Sequence, residues 1–124
     1  MVGKLMRILI VDDSVQMRRT IKSLLRDLVE EAFEAGDGSE VLDACRACLP
    51  DWVLMDVRMA GLDGIRATRE LKACFPDTNV LVMTSFDDPG VREAAEAAGA
   101  CAFVLKDDLL ALRGILSTDL RRTT

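Results

Sequence analysis

An alternating α/β domain on one parallel sheet is predicted for this chain of 124 residues by three observations. Apolar runs of strand length alternate with helix-period segments from end to end. Four of those runs are continuously apolar, as in strands covered by helices on both faces. Helical segments open at Ser14, Asp63, Asp88 and Asp107 or Asp108, and two of them close at Pro50 and Gly99, the kinds of residue that cap and stop helices. The length suits a single domain over 1–124 with a structured core from about 5 to 118, needing neither disulfide nor metal to fold.

Each element follows in order. Arg7-Ile8-Leu9-Ile10-Val11 is the first strand, ending in Asp12-Asp13. Val15, Met17, Ile21, Leu24, Leu25 and Leu28 then recur at helical spacing behind a Ser14 cap. Glu31 to Ala35 alternates and reads as a short second strand, closed by Gly36-Asp37-Gly38. The next helix carries Val41, Leu42, Cys45 and Leu49 and is stopped by Pro50. Trp52-Val53-Leu54-Met55 is a third strand, ending in Asp56. A loop over Val57–Leu62 leads to a helix from about Asp63, with Ile65, Thr68, Leu71 and Phe75 inward. Val80-Leu81-Val82-Met83 ends in Thr84-Ser85. Asp88-Pro89 caps an alanine-rich fourth helix that Gly99 ends. Phe103-Val104-Leu105 ends in Lys106, and Asp107 or Asp108 caps a fifth helix running to about Thr118. Residues 121–124 are expected to fray.

Five βα units give a doubly wound α/β fold. The alternating second strand ends in no functional group and suits a sheet edge. Right-handed crossovers then favour a flavodoxin-like five-stranded parallel sheet, (βα)5, in the order 2-1-3-4-5.

Composition removes whole classes of function. The net charge of −5 speaks against nucleic acid as a direct partner. Histidine is absent, which excludes imidazole bases, Ser-His triads and histidine metal ligands. The apolar runs are too short for a membrane span or an export signal, so a cytoplasmic location is expected. Cys45-Arg46-Ala47-Cys48 has C-x-x-C spacing, but it falls late in a helix rather than at a helix start. The cysteines therefore read as buried hydrophobes.

In an open parallel sheet the carboxyl ends of the strands share one rim, where ligands bind. Asp12, Asp13, Asp56, Thr84 and Lys106 all lie at such ends. Taken singly, each has an ordinary reading as a cap, a turn residue or a surface group. Together they put three carboxylates in one crevice, and each pair at ~4 Å repels by about 4 kcal/mol at an effective dielectric near 20. Such a cluster calls for a cation or protons. Few oxygen ligands with room for water and a phosphate oxygen are the Mg²⁺ pattern. Beside Mg²⁺ a carboxylate can attack phosphorus to give an acyl phosphate, with a lysine and a hydroxyl on the equatorial oxygens.

The segments Ile8-Leu9-Ile10-Val11-Asp12-Asp13-Ser14, Met55-Asp56-Val57-Arg58-Met59, Gly61-Leu62-Asp63-Gly64, Met83-Thr84-Ser85 and Phe103-Val104-Leu105-Lys106 resemble the receiver domain of bacterial two-component response regulators over essentially the whole chain. The resemblance implies a signalling domain, not an enzyme acting on other molecules, that takes a phosphoryl group from a sensor histidine kinase onto Asp56. It implies Mg²⁺ held by Asp13, Asp56 and the main-chain carbonyl of Arg58, with Asp12 acting through water. Thr84 and Lys106 would hold the phosphoryl group, and Thr84 and Phe103 would be the switch pair. An output domain or partner protein would read the surface of the fourth helix, fifth strand and fifth helix. The fourth helix has an inner face of alanine, and the fifth shows Leu110 and Ile115 off its Leu109, Leu112, Leu116 stripe. Phosphorylation-dependent self-association, as a homodimer, or docking of a partner through this face is therefore expected, with no membrane contact.

Three departures stand out. Met59-Ala60 replaces the family's usual Met-Pro, Lys106 is followed by Asp107 rather than proline, and Phe103 lacks the hydroxyl of the more frequent tyrosine. Without the proline, a cis bond after Lys106 is not expected, because a cis bond before other residues costs ~3 kcal/mol. The Phe-x-x-Lys-Asp ending, with Thr-Ser-Phe-Asp-Asp-Pro upstream, is similar to receivers of LuxR-type DNA-binding regulators. A haloacid-dehalogenase-type phosphatase would need an Asp where Arg58 stands. A flavin binder would not place Asp12-Asp13 against a phosphate. A phosphorylation-independent interaction module is the remaining alternative, although such proteins usually lose one of the five site residues.

Overall fold

The computed structural model describes residues 5–58 and 63–122. The chain runs β1 (Met6–Val11), α1 (Val15–Leu24), β2 (Val29–Ala35), a 3-10 turn (Gly38–Glu40), α2 (Val41–Cys48), β3 (Trp52–Asp56), α3 (Gly64–Cys74), β4 (Asn79–Thr84), α4 (Pro89–Ala98), β5 (Ala102–Leu105) and α5 (Leu109–Arg122). The strands form one parallel sheet in the order β2-β1-β3-β4-β5, the doubly wound flavodoxin-like order expected from the sequence.

Strand alternation divides the core between the two faces. Leu9, Val11, Val53, Met55, Val80 and Val82 pack with Cys45, Leu71 and Ala95 from α2, α3 and α4. Ile8, Ile10, Leu54, Leu81 and Met83 pack with Ile21 of α1 and Leu112 and Leu116 of α5. Each large aliphatic side chain buried in this way stabilises the fold by about 1.5–3 kcal/mol. Because both faces are covered, β1, β3 and β4 are apolar at nearly every position.

The expected caps form. Ser14 accepts from Met17 N, Asp63 from Arg66 N and Asp88 from Gly90 N, with Pro89 in the first turn of α4. Gly99 closes α4 with φ of 110°, a left-handed conformation that favours glycine. Asp108 rather than Asp107 caps α5, its Oδ1 accepting from Ala111 N at 3.4 Å.

Several boundaries differ from the sequence reading. The first helix stops at Leu24 rather than near Leu28, because Leu28 N–H turns back to the Leu25 carbonyl at 2.9 Å. That turn lets β2 begin at Val29, with a register shift against β1 between Met6 and Arg7. The last helix continues to Arg122, beyond the expected end near Thr118. Near its end Asp119 accepts the Trp52 Nε1–H at 2.9 Å. Arg113 of the same helix grips Asp27 with two nitrogens, both at 2.8 Å. No described peptide bond is cis, Lys106–Asp107 included. The Met59-Ala60 and Gly61-Leu62 readings lie outside the described residues, as do residues 123 and 124.

Cys45 and Cys48 are packed in the core, and burial pushes the Cys45 thiol up to about 12. A thiol so resistant to ionisation makes a poor nucleophile. Among the described residues no helix is long and apolar enough to cross a membrane.

Candidate functional site

Register brings the site together. β1 ends with Val11 beside Met55, one residue before Asp56, so Asp12 and Asp56 emerge side by side. On the other flank Asp56 pairs with Met83, and Thr84 pairs with Leu105. Lys106 N–H then donates to the Thr84 carbonyl at 2.7 Å. Four chain segments thus deliver their polar ends to one rim.

Asp12, Asp13 and Asp56 each offer a carboxylate oxygen within 4.8 Å of the others. Asp12 and Asp56 are buried, whereas Asp13 is exposed at the mouth. The Lys106 ammonium bridges the buried pair, 2.8 Å from Asp12 Oδ2 and 3.0 Å from Asp56 Oδ1. Asp56 Oδ1 also accepts from Arg58 N–H at 3.3 Å. Asp12 Oδ1 accepts from Ser14 N–H at 2.9 Å, which fixes the turn carrying Asp13.

Burial raises the Asp56 carboxyl above the ordinary carboxylate value. The Lys106 ammonium opposes that rise and the Asp12 charge adds to it. For Lys106, burial alone would lower the value, but the two carboxylates outweigh it and the ammonium is held above its usual range. Among the described residues Lys106 pairs with two of the three clustered carboxylates, an imbalance that leaves the rim negatively charged.

Asp12 Oδ2 shows how that imbalance fits a metal ion. This oxygen is buried, and its close partner among the described residues is the Lys106 ammonium 2.8 Å away. With that one ammonium beside it the oxygen keeps acceptor capacity, and the three-carboxylate cluster keeps an excess of negative charge. A divalent cation would neutralise that excess, and an all-oxygen donor set suits a hard cation. The residues present therefore fit a metal site.

Around the cluster, Thr84 is buried at the end of β4, with its Oγ1 accepting from Phe86 N–H at 3.4 Å. Phe103 stands apart from the carboxylates, half-buried on β5 with the Arg92 guanidinium 4.4 Å above its ring. Asp63 is absent from the cluster and serves as the α3 cap. Gly64 is there for space: a Cβ would lie 2.0 Å from the Asp56 carbonyl oxygen.

Two contributors escaped the sequence reading. Arg18 of α1 donates from Nη1 to the Asp12 main-chain carbonyl and from Nε to Glu34 of β2 at 2.9 Å. Neither residue sits at a strand end, where site residues are sought. The spacing of Arg18 one helical turn beyond the Ser14 cap was the only local signal.

A parallel sheet in this order with an acidic pocket at its carboxyl rim defines a receiver, the signalling module of two-component systems. The chain belongs to the response regulator receiver domain family, whose model matches residues 8–115. It is 39% identical over 104 residues to the uncharacterized transcriptional regulatory protein YhcZ of Bacillus subtilis, covering 82% of this chain and 49% of that one. It is 37% identical over 105 residues to the transcriptional regulatory protein LiaR of the same organism, covering 82% and 49%. A solved two-component response regulator of the LuxR family from Aurantimonas superposes with a TM-score of 0.80 at 27% identity, over 97% of this chain and 95% of that one. The chain spans about half the length of these two curated relatives. It is a signalling module rather than a classical enzyme, and Asp12, Asp13 and Asp56 form the acidic pocket typical of phosphoacceptor receivers.

Proposed function

We propose that Asp56 is the phosphoacceptor and that its donor is the phosphohistidine of a sensor kinase. The observation that carries this reading is the Lys106 ammonium lying within 3.0 Å of Asp56 Oδ1 and 2.8 Å of Asp12 Oδ2. A carboxylate at that position has a cation beside it and two further carboxylates for a metal. A carboxylate oxygen of Asp56 forms the new O–P bond as the N–P bond to the imidazole breaks, and the imidazole leaves with the electron pair and takes up a proton. Thr84 and Lys106 hold equatorial oxygens of the transferred group. Asp13, Asp56 and the Arg58 carbonyl would hold Mg²⁺, with Asp12 acting through water, and the bound ion would supply charge neutralisation on the phosphoryl oxygens. The domain promotes no reaction beyond its own phosphorylation and dephosphorylation.

The output is a surface. Thr84 and Phe103 form the switch pair, with Phe103 acting by packing, and the α4–β5–α5 face passes the change to an output domain, a partner protein or a second copy. Residues 1–124 form one receiver unit working in the cytoplasm without touching nucleic acid or membrane. The transcriptional regulatory proteins YhcZ and LiaR, of which this chain spans about half, favour a DNA-binding regulator as the whole protein.

Acetyl phosphate with Mg²⁺ is the direct test, read by intact-mass spectrometry. The wild type gains one phosphoryl group and Asp56→Asn gains none. Equal labelling of both proteins would remove Asp56 from the role.

A further inference from the structure

We infer that Arg18, oriented by Glu34, is a positioning residue for the metal site, so that the edge strand β2 governs Mg²⁺ affinity although it contributes no ligand. The inference rests on the Mg²⁺ reading above.

The geometry behind it is a chain of contacts leading from the sheet edge to the acidic pocket. The Arg18 side chain is only 15% exposed, unusual for an arginine on an outer helix. Its guanidinium has two engagements, Nε–H to Glu34 Oε1 and Nη1–H to the main-chain carbonyl of Asp12. Glu34 is held from a second side by Lys22, whose Nζ lies 3.1 Å from Oε2. Burial would raise the Glu34 carboxyl, but hydrogen bonds from Lys22 and Arg18 outweigh it and hold the value below the usual range.

The bond to Asp12 O matters because of where that carbonyl lies. The Asp12 N–H is paired with the Ala35 carbonyl at 3.1 Å, as the last rung joining β1 to β2. Beyond it the chain leaves the sheet, and the turn through Asp13 is fixed by two contacts. One is Asp12 Oδ1 accepting from Ser14 N–H. The other is Arg18 on the Asp12 carbonyl. The peptide between Asp12 and Asp13 therefore has its orientation set by Arg18, and that peptide aims both neighbouring carboxylates. A planar guanidinium fork holds a carboxylate and a carbonyl in fixed relative directions, whereas the donors of a shorter, freely rotating ammonium set no such angle. Outer groups that orient metal ligands typically control affinity by one to two orders of magnitude.

Charge and positioning predict opposite signs here, which makes the inference separable. If Arg18 acted only as a nearby cation, its loss would make the pocket more negative and tighten Mg²⁺. As a positioning residue, its loss weakens Mg²⁺. Calorimetric titration of the unphosphorylated protein with Mg²⁺ should show binding weakened roughly 10-fold in Arg18→Ala, Arg18→Lys and Glu34→Ala alike. Hydrogen exchange at the Ser14 amide should quicken in all three, and acetyl phosphate labelling of Asp56 should slow with them. Arg18→Lys keeps the charge and so reads the lost contacts by themselves should Arg18→Ala fail to fold, whereas Glu34→Ala, which removes a negative charge and would weaken Mg²⁺ on that ground too, is read through the Ser14 amide. Tighter binding in Arg18→Ala, or wild-type binding in a folded Arg18→Lys or Glu34→Ala, overturns the inference and leaves the phosphoacceptor reading standing. A wild type that neither binds Mg²⁺ nor takes label on Asp56 overturns both.

Discussion

Asp56 occupies a place that penalises its charge. Burial raises its carboxyl above the ordinary value despite the ammonium beside it, so the folded chain holds that proton more tightly than the unfolded one. A carboxyl raised in this way costs nothing at a pH below its unfolded value, where both states are protonated. The cost grows as pH rises through the unfolded and then the folded value, and it is complete above the latter. Without Mg²⁺, Asp56→Asn should therefore melt at a higher temperature than the wild type near neutral pH. The gap should close as pH falls through the folded value and then the ordinary carboxylate value. Mg²⁺ should narrow the gap from the other side, by stabilising the wild type alone. Thermal melts at several pH values, with Mg²⁺ or a chelator, report all of this. A variant that melts lower at neutral pH would mean that the Lys106 ion pair outweighs burial. The penalty was foreseeable in outline, because three carboxylates at strand ends with no histidine nearby require a cation. The identity of the bridging atoms was not, since it depends on the length and reach of Lys106.

Among the elements, α2 ends least comfortably. Leu49 closes it with φ of 48°, the left-handed region, and its side chain is 67% exposed. A leucine pays about 1–2 kcal/mol for that backbone conformation and recovers little by burial. Leu49→Gly should raise stability by about 1 kcal/mol, less than the full strain because glycine also loosens the unfolded chain. Urea denaturation followed by circular dichroism would show it as a higher midpoint with unchanged slope. A lower midpoint would mean that Leu49 packs in a way its exposure does not suggest. The helix itself was legible from Val41, Cys45 and Pro50, but its terminal conformation was not, because Leu49 fits the apolar spacing as well as an inward residue would. Caps were easier to read: Ser14, Asp63 and Asp88 each bond a nearby backbone N–H, and such local chemistry is written in a few adjacent residues. The early end of α1 depends instead on the pairing of β2 with β1, a long-range event with no local mark.

At the scale of the whole molecule, the fold was legible because the strand order follows from element order, handedness and one alternating strand. Arg18 and Glu34 were not, because their meaning depends on two elements meeting across the sheet edge. The same scale decides how phosphorylation would be felt. Helix α4 buries Ala95 and Ala98 toward the sheet, and alanine gives up little apolar area when moved. Phe103 lies under Arg92 of that helix, and Leu110 of α5 is 74% exposed. With the beryllofluoride phosphoryl mimic, hydrogen exchange should therefore change across residues 86–116. Thr84→Ala should be labelled at Asp56 without that spread. Changes confined to the loops around Asp13 and Asp56 would rule out propagation through this face. One further property belongs to the molecule as a unit. The chain has one tryptophan and no tyrosine, so its near-ultraviolet emission comes from one indole. That indole sits at the start of the strand ending in Asp56, and its N–H is tied to Asp119 of the last helix. The glow of the domain is thus an intrinsic gauge of how firmly its final helix is fastened to its central strand.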